Sequence, residues 1–266
     1  MVTSQGTLIK RFRLNRAALK EIPRAELELF LALGHLHNEL SLLQRLVVWS
    51  FSGQEKAPEP HLQAQITQSM IFVRYLGARL FEGWQTLQKE FFGRKISKAY
   101  ESELAGVARQ AYEEVKDYNS RKNPLKALRN GFAFHSSGGD IGRGLEHLSD
   151  ETLDMYLGKS ATESLFYASE MVSTIAILGT AKAADRVSGF DRLVGEIVSQ
   201  AGHWILLLQG LIDVFLRLYP SAQEKMVEEF ELQGLASFDM IQIPWFTRPP
   251  DSGVASVPNP APATGG

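Results

Sequence analysis

The sequence predicts an all-α protein, an elaborated antiparallel helical bundle, and three observations carry that expectation. Apolar residues recur at helical spacing along most of the chain, runs that alternate with period two are scarce, and glycine, proline and asparagine are gathered into short breaks between the periodic segments. No internal repeat is visible.

Leu29, Leu33, Leu36, Leu40, Leu43 and Val47 step by four and three, which places them on one helix face. Leu62, Ile66, Met70, Val73, Leu76, Leu80, Trp84, Leu87 and Phe91 repeat the pattern, and "GQEKAPEP" (53–60) separates the two helices as a loop. The aromatics Phe72, Tyr75, Phe81 and Trp84 share the second helix's spacing and read as core. A third helix is expected from about Ser97 to Asp117. "NSRKNP" then breaks the chain, with Asn123 as cap and Pro124 in the first turn of the helix that follows.

That helix carries "LKALRNGFAFH" and should end in "SSGGDIGRG", whose four glycines a helix interior disfavours. Ser149 or Asp150 would cap another helix running through Leu153, Leu157, Leu165, Met171 and Ile175. "GFD" at 189–191 leads into a last long helix ending near Tyr219 and Pro220. Residues 1–243 form one helical domain in this reading. Residues 244–266 form a disordered Pro/Ala/Gly-rich tail, with "IQIPWF" (241–246) pinning the chain to the domain surface.

The 266 residues are enough for a sizeable core, and 44% apolar with 22% charged residues is the composition of a globular protein. There is no cysteine, which excludes disulfides and thiolate metal sites. The N-terminus lacks an apolar run of signal-peptide length. The most apolar stretch, His203 to Tyr219, is interrupted by Gln209, Asp213 and Arg217 and reads as a buried helix rather than a membrane span. A cytoplasmic protein with no membrane partner is the expectation.

Net charge is −2, but its distribution is uneven. Lys116, Arg121, Lys122, Lys126 and Arg129 face one acid, Asp117, between 116 and 129, while Glu224, Glu228, Glu229, Glu231 and Asp239 face Lys225 between 224 and 239. The first run would attract phosphates; the second could cover it, in cis or in trans.

Several signals of other chemistry are missing. No Glu is followed three residues later by His, and there is no HExxH, so neither a di-iron bundle nor a zinc protease is indicated. His35 and His37 lie about 200° apart on a helix and cannot share a metal. His37 borders the apolar stripe as a structural histidine, His61 falls near a helix start, and His203 opens an apolar run. "GGDIGRG" lacks the Lys-Ser/Thr ending of a phosphate loop and follows no strand. No metal and no cofactor is expected.

What remains is "RNGFAFH" (129–135). Arg129 can hold two phosphate oxygens through its planar fork. His135 can take and give a proton near neutral pH, and Asn130 can orient a phosphate or the imidazole without adding charge. These groups suffice for metal-free RNA cleavage: a base takes the proton of the ribose 2′-OH, that oxygen attacks the adjacent phosphorus, and a cation stabilises the charge that builds on the phosphate oxygens. On a helix, Arg129 and His135 lie about 120° apart and would flank a groove. Two copies facing across a twofold axis would gather two of each group.

"RNGFAFH" in an all-helical chain resembles the Arg-x(4–6)-His signature of the HEPN superfamily (higher eukaryotes and prokaryotes nucleotide-binding domains), with the Asn, Asp or His that often follows the arginine present as Asn130. In this chain the resemblance covers roughly 94–179. It implies a HEPN-like bundle and a homodimer with a composite active site. It also implies metal-independent endoribonuclease activity on RNA, in a defence or toxin–antitoxin setting where a protein inhibitor or antitoxin is a natural partner. Carried over, Arg129 would stabilise the phosphate, His135 would be the general acid/base and Asn130 the supporting polar group. Lys122, Lys126 and Arg143 are the expected substrate-binding cations around them. Gly131 inside the motif weakens the helix and could re-aim His135. A non-catalytic helical interaction or nucleotide-binding module is the competing reading; it would show Arg129 and His135 engaged in ion pairs or against apolar surface.

Overall fold

The computed structural model describes residues 7–14, 16–51, 57–130, 138–148, 153–159, 163–178, 186–220, 228–237 and 241–247. The chain is mostly helical, in the order β1 (Thr7–Arg11), α1 (Arg16–Leu19), α2 (Arg24–Phe51), α3 (Glu59–Glu90), α4 (Lys95–Glu103), α5 (Gly106–Ser120), α6 (Leu125–Leu128), α7 (Gly138–Glu146), α8 (Tyr167–Leu178), α9 (Arg186–Leu218) and β2 (Glu228–Leu232).

Three long helices make the frame. Ser50 meets Ser69 (hydroxyls 2.9 Å apart) and Arg79 donates to Glu39 at 2.6 Å, so α2 and α3 run antiparallel. Phe30 stacks on Phe215, with centroids 3.9 Å apart, while Gln44 donates to the Val198 carbonyl, so α9 runs antiparallel to α2. Tyr118 bonding Glu196 at one end of α5, and Arg217 bonding the Glu103 carbonyl just before its other end, lay α5 antiparallel along α9. The stripe read from the sequence on α2 is the buried one: Leu29, Leu33, Leu36, Leu40 and Val47 are in the core. Each such side chain contributes roughly 1.5–3 kcal/mol of burial.

By length and composition alone, one helix among the described residues (Ser188–Leu218) could cross a membrane. In the fold it is the central helix. Ile197, Ala201, Trp204, Leu207, Leu208, Leu211 and Val214 are fully buried, packed among α2, α3 and α5.

The structure corrects several boundaries. The loop expected at 53–60 gives way to α3 already at Glu59, because Pro58 is tolerated just before a helix that lacks N–H partners there anyway. The single helix expected from Ser97 to Asp117 is broken into α4 and α5, with Leu104 extended and Gly106 at φ +54°, a conformation other residues rarely adopt. The segment 153–159 is not helical: it is extended, and Tyr156 pairs with Leu165 in an antiparallel bridge. Among the described residues, only Tyr167–Leu178 forms the helix expected there; the expected caps Ser149 and Asp150 lie outside them. The last helix begins before "GFD", at Arg186.

The largest correction concerns glycine. "GGDIGRG" lies inside α7 rather than ending a helix. A Cβ at Gly144 would run into the Val172 carbonyl oxygen, so the missing side chain is what lets α7 lie against α8. Close packing here outweighs the cost of glycine in a helix, roughly 1 kcal/mol each relative to alanine.

A two-stranded antiparallel sheet joins the ends of the described chain, Thr7 opposite Leu232 and Arg11 opposite Glu228. Lys10 pairs with Glu229, and Arg11 and Arg13 with Glu228. Two of the acids expected to cover the Lys116–Arg129 run are therefore spent on the N-terminal strand instead. Further on, Trp245 donates its indole N–H to the Ser164 carbonyl at 3.0 Å, and with Phe246 packs on a small second core of Ala64, Leu165 and Tyr167. The pinning expected of "IQIPWF" is realised, and it includes two residues assigned to the tail.

Candidate functional site

The break between α5 and α6 is built by Asn123. Its amide donates to the carbonyls of Tyr118 and Arg121, both at 3.1 Å, and its Oδ1 accepts the Leu125 N–H at 3.1 Å. Asn123 thus ends one helix and caps the next, the role its place before proline suggested. One turn of α6 follows, anchored by Leu125 and Leu128, which are fully buried. Leu128 fits against Gly77 of α3, where a Cβ would come within 2.5 Å of its Cδ1.

Burial of Leu128 fixes the direction of the next residue. Arg129 emerges half-exposed, its N–H shared between the Leu125 and Lys126 carbonyls. Its Nε–H donates to Glu82 Oε1 on α3 at 2.7 Å, and Nη1 donates to Asn130 Oδ1 at 3.1 Å. Nη2 has no partner among the described residues. The helix expected to continue through "RNGFAFH" is described only to Asn130, with Arg129 and Asn130 in a widened turn. His135 lies outside the described residues, as do Phe132 and Phe134.

Of the expected cations, Lys122 and Lys126 are exposed on either side of the Asn123 cap. Lys122 lines a shallow depression of about 420 Å³ with Tyr118, Arg121, Glu196, Ser199 and Gln200. Arg143 is exposed on α7, whose main support is α8 rather than α6. The structure thus brings Arg129 and Asn130 into contact and places Lys122 and Lys126 on the same chain turn, and it puts Arg143 on a different helix.

Sequence reading missed Glu82. Between Glu59 and Glu90 it is the one acid on α3, an isolated carboxylate on an otherwise apolar and amide-rich helix, and that isolation was the available signal. Its effect is double. It holds the guanidinium plane by an ion-paired hydrogen bond, and it offsets part of the positive charge a phosphate would meet. The remaining outer edge of Arg129 can still accept one anionic oxygen pair, since Arg carries five donors and the two neighbours use two. Nearby, burial and then the bond to Glu196 push the Tyr118 hydroxyl well above its ordinary pKa, so it stays a neutral donor.

Five histidines lie among the described residues, and His147 is half-buried in the turn that follows α7, its backbone N–H on the Gly144 carbonyl. His35 is exposed, 3.4 Å from Glu39; His61 lies in the first turn of α3; His37 and His203 are half-buried. Comparison with models of known protein families, with curated proteins and with solved structures finds no match to this chain.

Proposed function

We propose that the protein is a metal-independent endoribonuclease of HEPN type, acting at a composite site formed by two copies of the "RNGFAFH" segment. The observation that carries this reading is the Arg129–Asn130 pair: an arginine held by a carboxylate and an adjacent amide, half-exposed at a helix end, flanked by exposed Lys122 and Lys126. A guanidinium fixed in this way needs little reorganisation when negative charge builds on a phosphate. His135 would take the proton of the 2′-OH as O2′ bonds to phosphorus, and the bond to O5′ would break with a proton returned to the leaving oxygen. The products are a 2′,3′-cyclic phosphate and a 5′-hydroxyl. Lys122, Lys126 and Arg143 would draw in the strand. RNA, a second copy of the chain and a protein inhibitor are the partners this implies, in a cytoplasmic setting.

A second reading rests on the Glu82 contact. An arginine already paired with a carboxylate serves equally well to tie α6 to α3 in a non-catalytic interaction module. The two readings separate in one experiment. Structured RNA is incubated in EDTA with wild type, His135→Ala and Arg129→Ala, and the new ends are mapped. Cleavage by wild type alone, leaving cyclic phosphates, supports the ribonuclease. No cleavage by folded protein favours the interaction module, and equal cleavage by all three assigns the activity to something other than this segment.

A further inference from the structure

One depression in the described residues combines a largely buried ion pair with an open apolar wall. It has a volume of about 420 Å³ and lies between the middle of α3, α7 and the first half of α8. Ligand sites fall in this size range. Its α3 residue, Arg74, sits eight residues before Glu82, about 12 Å along the helix at 1.5 Å per residue.

Its polar part is a pair of opposite charges. Arg74 Nη2 lies 2.6 Å from Glu170 Oε2, and the two side chains are only 11% and 20% exposed. Oε2 is enclosed, yet no N–H is aligned on it, so the pair holds by charge and spends none of the arginine's N–H donors on a directed bond. Oε2 is the one atom of the pair that is both enclosed and unbonded. Oε1 and the guanidinium nitrogens, without another polar contact among the described residues, keep accessible surface, and both residues line the depression.

The rest of the lining is mainly apolar. Ile141 and Leu145, four residues apart on one face of α7, face the same space as Val172 of α8, and Leu153 joins them. The close approach of Gly144 to the Val172 carbonyl brings the two helices together there. Ile141, Leu145 and Leu153 are all exposed, so three large apolar side chains present surface at one place beside the ion pair. Ser173 also lines the depression, and because its hydroxyl donates to the Ser169 carbonyl its oxygen is left as an acceptor.

The charges select among ligands. A carboxylate alone would satisfy Arg74 but sit uncompensated beside Glu170, and an amine alone would face Arg74 in the same way; away from water either is costly. A zwitterion satisfies both and leaves the net charge of the site unchanged. In an α-amino acid the two charged groups are one carbon apart, which matches a guanidinium and a carboxylate in direct contact, and that carbon carries the side chain the apolar wall would receive. We propose that this depression binds a free α-amino acid with an aliphatic side chain, its carboxylate accepting from Arg74 and its ammonium donating to Glu170 Oε1. The proposal does not rest on the reading of Arg129.

The test is calorimetric titration of the full chain with leucine, 4-methylpentanoate (leucine without its amino group), 3-methylbutylamine (leucine without its carboxylate) and glycine (no side chain). Leucine should bind wild type at least about tenfold more tightly than each of the other three, since each lacks one of the complementary groups. Glu170→Gln should remove the preference for leucine over 4-methylpentanoate. Leu145→Ser, at an exposed position, should weaken leucine severalfold while leaving the thermal unfolding of the bundle in place, and Arg129→Ala should change none of the affinities. Binding of none of the four compounds overturns the proposal, as does leucine bound no more tightly than glycine or than either single-charge analogue. That comparison uses wild type alone, so it decides the matter even where Glu170→Gln fails to fold.

Discussion

Arg129 and Glu82 are joined across the α6–α3 contact by a 2.7 Å ion-paired hydrogen bond, immediately after the buried Leu128. The packing and the charge act on successive residues of one short helix. Leu128 sets where the backbone goes, and Glu82 sets how the guanidinium lies. Both side chains of the pair are more than a third exposed, 40% and 36%, so water screens it and its share of stability is small, within about 1 kcal/mol. Its larger consequence is orientation.

Glu82→Gln keeps an acceptor for Arg129 but removes the charge. The expected result is a melting temperature close to wild type together with tighter binding of single-stranded RNA at low salt, because one negative charge beside the guanidinium is gone. Thermal unfolding and filter binding on the same preparation measure both. Unchanged RNA affinity across a range of salt would mean that Arg129 does not meet the phosphates.

Two glycines in α7 make opposite predictions. Gly144→Ala drives a methyl group into the Val172 carbonyl, which is backbone and cannot rotate aside, so α7 must move off α8 at about 1–3 kcal/mol. Gly142 has nothing within 4 Å of the same added atom, and Gly142→Ala should gain up to about 1 kcal/mol from helix propensity. Urea unfolding of the pair decides the matter. Destabilisation by both would indicate that the glycines serve backbone freedom rather than contact.

The contrast between those glycines shows where the sequence was legible. The long helices α2, α3 and α9 could be read because many apolar residues repeat the same period, and no single residue decides the outcome. The failures all turn on tertiary contacts or single backbone positions. Gly106 at φ +54° splits a helix that periodicity alone would continue. Gly144 belongs in a helix because of Val172, a residue 28 positions away in the chain. Leu153 and Leu157 suggested a helix by their spacing, yet with Met155 they also fit period two, and the structure makes them the exposed side of an extended segment while Asp154 turns to Gln63 at 2.7 Å. At the candidate site, the Asn123 cap could be read because capping is local. The Glu82 partner could not, because 47 residues separate it from Arg129.

The sheet at the chain ends offers a check on the charge distribution. Lys10–Glu229 and Arg13–Glu228 are exposed pairs of 3.2 and 3.0 Å, so Glu228→Ala with Glu229→Ala should change global stability by no more than about 1 kcal/mol per pair while loosening the N-terminal strand. Amide exchange should accelerate in residues 7–11. RNA binding should stay as it is, because these acids face β1 and not the Lys122–Lys126 surface. A gain in RNA affinity would instead show that the acids shield the basic run.

Alkaline pH should act on the helix pair that supports the candidate site. Tyr118 of α5 donates to Glu196 of α9 at 2.6 Å, and Tyr112 donates to Glu101. For both, burial first and then the carboxylate partner raise the pKa above the ordinary 10; at Tyr219, which bonds Glu26, the same causes push it up to about 12. Arg121 over the Tyr118 ring and Arg109 over the Tyr112 ring oppose the shift without cancelling it. The sign follows from linkage. The folded state favours the neutral phenol, so the contribution of these groups is complete below about pH 10 and is lost as pH rises through the folded pKa values. Tyr118→Phe should cost about 1 kcal/mol at neutral pH through the lost hydrogen bond, and should make the decline in stability above about pH 10 shallower than in wild type. Thermal unfolding at about pH 8 and about pH 11, with tyrosinate absorbance followed in parallel, gives both quantities. An equally steep decline in the variant would show that Tyr118 ionises no less readily in the folded chain than in the unfolded one.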